Sequence, residues 1–421
     1  MKYGKILVTL FLAAAALVLL VSACGGKADP AETAAPPGGE TAAEKTGASG
    51  AEAWFSEDPE YPRNLNTEQV SVDELLVPCD GGKRAENVVV FTADVGGRVN
   101  GPCLALASID GRSWAYLGVA GESPQFSPDG TKIAYLKNRR EEKSSLFVIN
   151  VDGSGETVLC DEGDYWTDFA FTPDSRAVVY TAPKGKSANG IFIADVAGRG
   201  RRLIYSSDGY PRTPSLPASG EEIAFEKGYE IYMINIDGSG LRRVTGPPVG
   251  HEFRFDKNPT ISPDGSKIAF RSGDDYDHEL GYDVYVVNAD GTGRHNLTPN
   301  DKREEKPDFS PDGKRIVFQS LGGGITVADV NTLELQRLPT TGGGGLSFYL
   351  TPRFSPDGGK IAYDPPCVEN MGAGQIYIIN VDGTGDTWIS PGGEVGYEHP
   401  RFSPMRVDGV LFDTYGRVIE E

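Results

Sequence analysis

From about Val88 to the C-terminus, short apolar stretches alternate with tight clusters of turn residues, and the alternation has a long period. One pattern recurs: Pro-x-Phe-Ser-Pro-Asp-Gly-x-x-Ile-Ala-Phe, a variable stretch, then Ile-Tyr-x-x-Asn-x-Asp-Gly-Ser-Gly. Aligned on Ser127, Thr172, Pro217, Ser262, Ser310, Ser355 and Ser403, the copies are spaced by 45, 45, 45, 48, 45 and 48 residues. Each copy reads as four short strands. The first carries the apolar residue before Ser-Pro (Phe126, Phe171, Leu216, Ile261, Phe309, Phe354, Phe402). Pro-Asp-Gly then turns the chain, because Pro fixes φ, Asp bonds its own backbone and Gly accepts positive φ. The second strand resembles Ile133-Ala134-Tyr135, the third Ile231 to Asn235, and an Asp-Gly-Ser-Gly turn leads to a brief fourth.

Four strands and two hairpin turns per repeat are the signature of a propeller blade, which buries its two faces only against neighbours. The predicted fold is therefore all-β, a propeller of four-stranded blades. First, third and fourth strands each number seven, whereas the second-strand pattern occurs eight times, at both Val89-Val90-Phe91 and Val410-Leu411-Phe412. Six blades are complete in sequence, from Pro124 to about Pro391, and the two ends of the chain supply a seventh. Seven blades closed by pairing of N- and C-terminal strands is the expectation, six with ragged ends the alternative. One of the two copies of the second strand is surplus.

The N-terminus has a different character. Lys2 and Lys5 precede an apolar run of 16 residues, Ile6 to Val21, which is shorter than the ~20 needed to span a bilayer and ends in small residues, as export signals do. Val21-Ser22-Ala23-Cys24 resembles a bacterial lipobox, and that resemblance implies removal of residues 1–23 and lipid attachment at Cys24. Residues 24–53 are mostly Ala, Gly, Pro, Thr, Glu and Ser, too polar and small to repay ordering. Within them Gly25 to Gly50, a flexible tether of 26 residues, reaches on the order of 25–30 Å. Residues 54–87 form an extension before the propeller, 88–421. The reading is an extracytoplasmic chain, anchored to the cell membrane through lipid alone. In such an oxidising compartment Cys79, Cys103, Cys160 and Cys367 can pair, and Cys79–Cys103 is the closest couple in sequence; buried thiols are the other reading.

Charge narrows the partners. Lys plus Arg number 40 against 60 Asp plus Glu, a net charge of −20, which argues against nucleic acid, since affinity for phosphate backbones comes mainly from cationic contacts. An apolar content of 39% suffices for a sizeable core. Four histidines and five cysteines leave little room for a His-rich metal enzyme or a disulfide-dense scaffold.

The repeat resembles the TolB-like propellers, also called PD40 or WD40-like. The likeness runs from about Val88 to the C-terminus and is clear in most blades. Pro214-Ser215-Leu216-Pro217-Ala218-Ser219-Gly220 departs from it by lacking Ser-Pro-Asp, and the separate α/β domain of TolB has no counterpart here. The resemblance implies either a protein-binding scaffold or the propeller part of a peptidase, so it speaks to fold more than to activity.

In a blade, the strand 1–2 and 3–4 turns share one face, while the strand 2–3 loops and the interblade connections share the other. The turns are uniform. The loops are not: 14 residues separate Phe270 from Tyr285, but six separate Phe225 from Tyr232. Variable loops on a rigid scaffold are the usual place for binding, so a protein, peptide or envelope component is expected at this face and at the mouth of the central channel. Asp274, Asp275, Asp277 and Glu279 crowd one such loop, either as oxygen ligands for Ca²⁺ or as a solvated acidic loop without EF-hand order. His251, His278 and His399 also map there, as a three-imidazole metal site or as ordinary loop histidines. Tyr165, Trp166, Tyr210, Tyr349 and Tyr397 fall between blades, as interface anchors or as wedges. No Walker loop and no Gly-x-Ser-x-Gly elbow occurs, and the serines before Pro recur as structural residues do. No catalytic residue, no cofactor other than that Ca²⁺, and a monomer are expected.

Overall fold

The computed structural model describes residues 68–420 except 80–81, 95–101, 138–143, 162–166, 185–188, 247–254, 274–280, 300–302, 321–323, 341–350, 365–373 and 392–395. Cys24, the signal segment and the tether lie outside these residues.

Seven antiparallel sheets form seven blades. Blade 1 consists of Glu122–Phe126, Lys132–Lys137, Ser145–Asn150 and Thr157–Cys160, and blades 2 to 6 repeat the order through Thr387–Trp388. Blade 7 takes its first strand from Gly396–Phe402 and the other three from Val88–Asp94, Cys103–Ser108 and Ser113–Ala120. Val89-Val90-Phe91 is thus the second strand of the closing blade. The surplus copy, Val410–Phe412, forms a separate hairpin with Met405–Val407. The extension also joins the body: Glu68–Gln69 pairs in parallel with Ser113 and Trp114, adding a fifth strand to the outer edge of blade 7.

Because successive side chains of a strand point to opposite faces, each sheet buries alternate residues against its two neighbours. In the second strand of blade 7, Val88 and Val90 face blade 1, whereas Val89, Phe91 and Ala93 face blade 6. The buried apolar residues divide into seven clusters, one at each junction between blades. A gap in the ring would have left one junction without a core. Replacing a fully buried Phe such as Phe91 with Ala costs about 3–5 kcal/mol.

The Ser-Pro-Asp-Gly turns owe their recurrence to one hydrogen-bond pattern. In blade 1 the Ser127 hydroxyl donates to Asp129 at 2.6 Å and accepts the Lys132 N–H at 2.9 Å, while Gly130, at φ 72°, donates its N–H to the Ser127 carbonyl. Thr172, Ser262, Ser310 and Ser355 make the same bond to an aspartate two residues on. Blade 3 lacks both side chains but keeps the backbone turn, with the Gly220 N–H donating to the Pro217 carbonyl at 3.0 Å. Blade 7 makes the pattern without a turn: the Ser403 N–H donates to the Val88 carbonyl at 2.9 Å, and the Val88 N–H donates to the Ser403 hydroxyl at 3.1 Å. Two residues 315 positions apart therefore stand where Ser127 and Lys132 stand in blade 1.

Past Val410–Phe412 the chain crosses the turn-face end of the central channel. Asp413 is buried and accepts the Tyr415 and Arg417 N–H groups, which folds residues 413–417 into a compact loop. Tyr415 donates its hydroxyl to the Phe171 carbonyl of blade 2, and Arg417 donates to Pro173 and Ala218 carbonyls in blades 2 and 3. On the other side Gly416, at φ 77°, is so close to blades 5 and 6 that a Cβ there would clash with the Pro311 ring and lie 3.0 Å from the Pro356 carbonyl. The C-terminal segment is a plug.

Candidate functional site

Inside the ring, the first strands surround a cavity of about 390 Å³ that ends at Thr414 and Tyr415. Its wall follows from the repeat. The residue between Pro and the apolar position of each copy faces the axis, giving in blade order Gln125, Ala170, Ser215, Thr260, Asp308, Arg353 and Arg401. A second ring lies two residues earlier, nearer the loop face: Ser123, Asp168, Thr213, Asn258, Lys306, Thr351 and His399. Fold dictates these positions but not their chemistry, and the blades differ at both.

The second ring has unusual backbone. Ser123, Thr213, Asn258, Lys306 and His399 precede a proline, which normally favours extended geometry, yet they adopt φ of 49–58°. Each sits at a bulge in the pairing of its strand. Four of their N–H groups donate to a side chain of the preceding blade: Ser123 to Thr92, Thr213 to Asp168, Asn258 to Glu226 and His399 to Asp364. Asp364 is buried and also accepts the N–H and hydroxyl of Thr351, so one carboxylate clips the first strands of blades 6 and 7 together. Burial pushes its carboxyl up to about 6 despite these donors. Burial likewise raises Glu226 above the usual carboxylate range.

Charge is concentrated on one sector. Blades 1 to 4 present neutral groups in the inner ring, whereas blades 5 to 7 present Asp308, Arg353 and Arg401, with Lys306 and His399 beside them. Asp308 is committed: it accepts Arg353 Nη1 at 3.2 Å and the Phe354 N–H at 3.2 Å. Arg401 donates Nη1 to the Pro400 carbonyl at 2.9 Å. Burial, followed by the neighbouring Arg353, pulls Arg401 below the usual arginine range, and it remains a cation at neutral pH.

Few of the residues singled out from sequence reach this site. His399 does, and lines the channel. Tyr210 is exposed beside the first strand of blade 3, with the Arg212 guanidinium 5.8 Å from its ring centre. Tyr397 is not a surface anchor: it is fully buried in the first strand of blade 7 and packs edge-on against Phe91 at 5.5 Å. Its strand is longer than expected and bulged, which turned an interblade position into core. No Cys79–Cys103 bridge forms either. Cys103 is buried in the third strand of blade 7, whereas Cys79 lies in the outer hairpin Leu76–Cys79/Gly82–Ala85, a different sheet. Tyr165, Trp166, His251, Asp274, Asp275, Asp277, His278, Glu279 and Tyr349 lie outside the described residues. Among the described residues no three His, Cys, Asp or Glu side chains are grouped to hold a metal ion. Sequence reading passed over Arg353 and Arg401. Their signal was the charge at the x of Pro-x-Phe, where blades 1 to 4 carry small or neutral residues.

No family model matches the chain, and no curated protein is similar to it in sequence. Solved structures are similar in fold. Prolyl endopeptidases match with a TM-score of 0.55 at 14% identity, over 73% of this chain and 49% of theirs. An oligogalacturonate lyase from Vibrio parahaemolyticus matches with a TM-score of 0.52 at 16% identity, over 76% of this chain and 90% of that one. TolB from Acinetobacter baumannii matches with a TM-score of 0.47 at 20% identity, covering 71% and 78%. The chain is a seven-bladed propeller of four-stranded blades. Binding proteins and enzymes share that architecture, so it does not choose between them.

Proposed function

We propose that this chain is a lipid-anchored, extracytoplasmic propeller that binds a protein, peptide or envelope glycan without transforming it. The export signal and the lipobox at Cys24 support the compartment. The observation that carries the binding role is the plug. With Tyr415 and Gly416 seated across the turn-face end, a ligand meets the non-repeating channel residues from the loop face. That is the face where loop length varies from blade to blade.

Photocrosslinking of the intact lipoprotein on cells, from probes placed at Tyr210 and His399, is expected to capture the same partner from both positions. Equal capture from a probe on the turn face, at the exposed Ser154, would defeat the proposal. A Cys24→Ser variant is expected to leave the membrane fraction; its retention there would remove the lipid anchor.

A second reading, an extracytoplasmic lyase or hydrolase, has His399 in the channel beside Arg401 in its favour. It requires purified protein to turn over an envelope polymer, and a His399→Ala variant to abolish that turnover while keeping the wild-type melting temperature.

A further inference from the structure

The charged sector of the channel is uneven in a way that specifies a ligand. The Arg353 charge is balanced by Asp308, which takes one guanidinium nitrogen at 3.2 Å. Among the described residues, Arg401 donates only to the carbonyl of the preceding residue, which carries no formal charge. A guanidinium has five N–H donors in a planar fork, and this one belongs to a residue that lines the cavity. On the neighbouring blade, Gln125 lines the same cavity, and its buried Oε1 is an acceptor reached by no donor among the described residues, so it calls for a ligand donor such as an amide N–H or a hydroxyl. Asp364 and Asp308 lie near enough to influence Arg401, but among the described residues neither accepts a hydrogen bond from it: Asp364 accepts from Thr351 and His399, and Asp308 from Arg353 and Phe354.

We propose that Arg401, beside Arg353, is a receptor for one carboxylate group of the ligand that enters the channel, and that Gln125 accepts from a donor elsewhere on the same ligand. The inference rests on the binding role proposed above and names the chemistry that role selects. The planar fork of Arg401 matches a planar two-oxygen anion. The cavity, about 390 Å³, lies in the range of small-ligand pockets, so a side chain or a single sugar acid enters rather than a folded domain. The acidity of the whole chain does not oppose this, because charges beyond a Debye length are largely screened.

The test is calorimetric titration of the full chain with two carboxylates, each beside its methyl ester. One is a glutamate-containing tetrapeptide blocked at both ends, and the other is glucuronate. At least one acid is expected to bind, with its ester weaker by about tenfold or more, as for loss of a charge-assisted hydrogen-bond pair. Binding in the peptide arm assigns an acidic peptide; binding in the glucuronate arm assigns a sugar acid. Arg401→Gln is expected to abolish the difference between acid and ester, and Arg401→Lys to restore part of it. Equal affinity of acid and ester, or no heat from either acid at millimolar concentration, overturns the proposal. That comparison uses wild-type protein, so it stands even where Arg401→Gln does not fold. Failure here together with a crosslinked partner on cells would overturn the carboxylate receptor and leave the binding role intact. Carboxylate binding without a partner would do the reverse.

Discussion

The two ends of a single first strand obey different rules. At the turn end, Thr172, Ser262, Ser310 and Ser355 repeat the bond of Ser127 to a nearby aspartate, and blade 7 rebuilds the serine–backbone part of the pattern across a chain break. At the axis, a few residues earlier, the side chains run from Gln125 through Ala170 and Thr260 to Arg401. The turn end must satisfy the backbone of its own hairpin, which leaves few residue types. The axial side chain faces a cavity, so the hairpin places no demand on it. Uniformity therefore reports folding, and divergence marks the positions that folding leaves free.

The largest expected effect is at the loop-face side of the axial ring. Asp364→Ala strips the acceptor from three donors in blades 6 and 7, and is expected to cost about 2–5 kcal/mol by urea unfolding. A cost near zero would mean that the clip does not hold the channel wall.

The same carboxyl sets a pH dependence. Its value is raised from 3.8 unfolded to about 6 folded, so the folded chain binds the proton more tightly. The resulting stabilisation is fully present below about pH 4 and is lost as pH rises through about 6. Relative to Asp364→Asn, wild-type stability is expected to fall by about 2–3 kcal/mol between pH 4 and 7. A flat difference across that range would contradict it.

Gly416→Ala comes next. It places a Cβ against Pro311 at a positive φ, and about 1–3 kcal/mol is expected to be lost. Quenching of Tyr415 fluorescence by acrylamide should rise as the plug lifts, and unchanged quenching would count against a seated tail.

The turn end gives smaller effects. Ser262→Ala removes a bond to Asp264 and to the Lys267 N–H, and is expected to cost about 1 kcal/mol. Smallest is the repair of blade 3 by Pro217→Ser with Ser219→Asp, expected to gain about 0.5 kcal/mol in the same assay. A loss there would mean that blade 3 departs from the pattern for a reason of its own.

These contrasts explain what could be read in advance. The seven blades and the shared closing blade were legible because each is specified by residues that repeat, down to the aromatic in Ile133-Ala134-Tyr135 and Ile268-Ala269-Phe270. The choice between Val89-Val90-Phe91 and Val410-Leu411-Phe412 was not legible, since both satisfy the same pattern and only pairing with Gly396–Phe402 decides it. The bulges before proline were hidden for another reason. Local preference predicts extended backbone at His399 and Asn258, and the carboxylates that hold them otherwise come from a different blade. Tyr397 was misplaced by the same bulge. Arg401 stood in plain view, one residue after a proline, but its meaning depended on six other positions brought around one axis.

The hydrogen bonds joining Ser403 to Val88 match those inside an ordinary hairpin, so the ring has no privileged starting point. A circular permutant that links Pro404 to Val88 through a Pro-Asp-Gly turn and opens at the Ala218-Ser219 turn of blade 3 would keep all seven blades while omitting the tail and the segment before Val88. Its channel would lack the plug, separating the task of completing the circle from that of stoppering it.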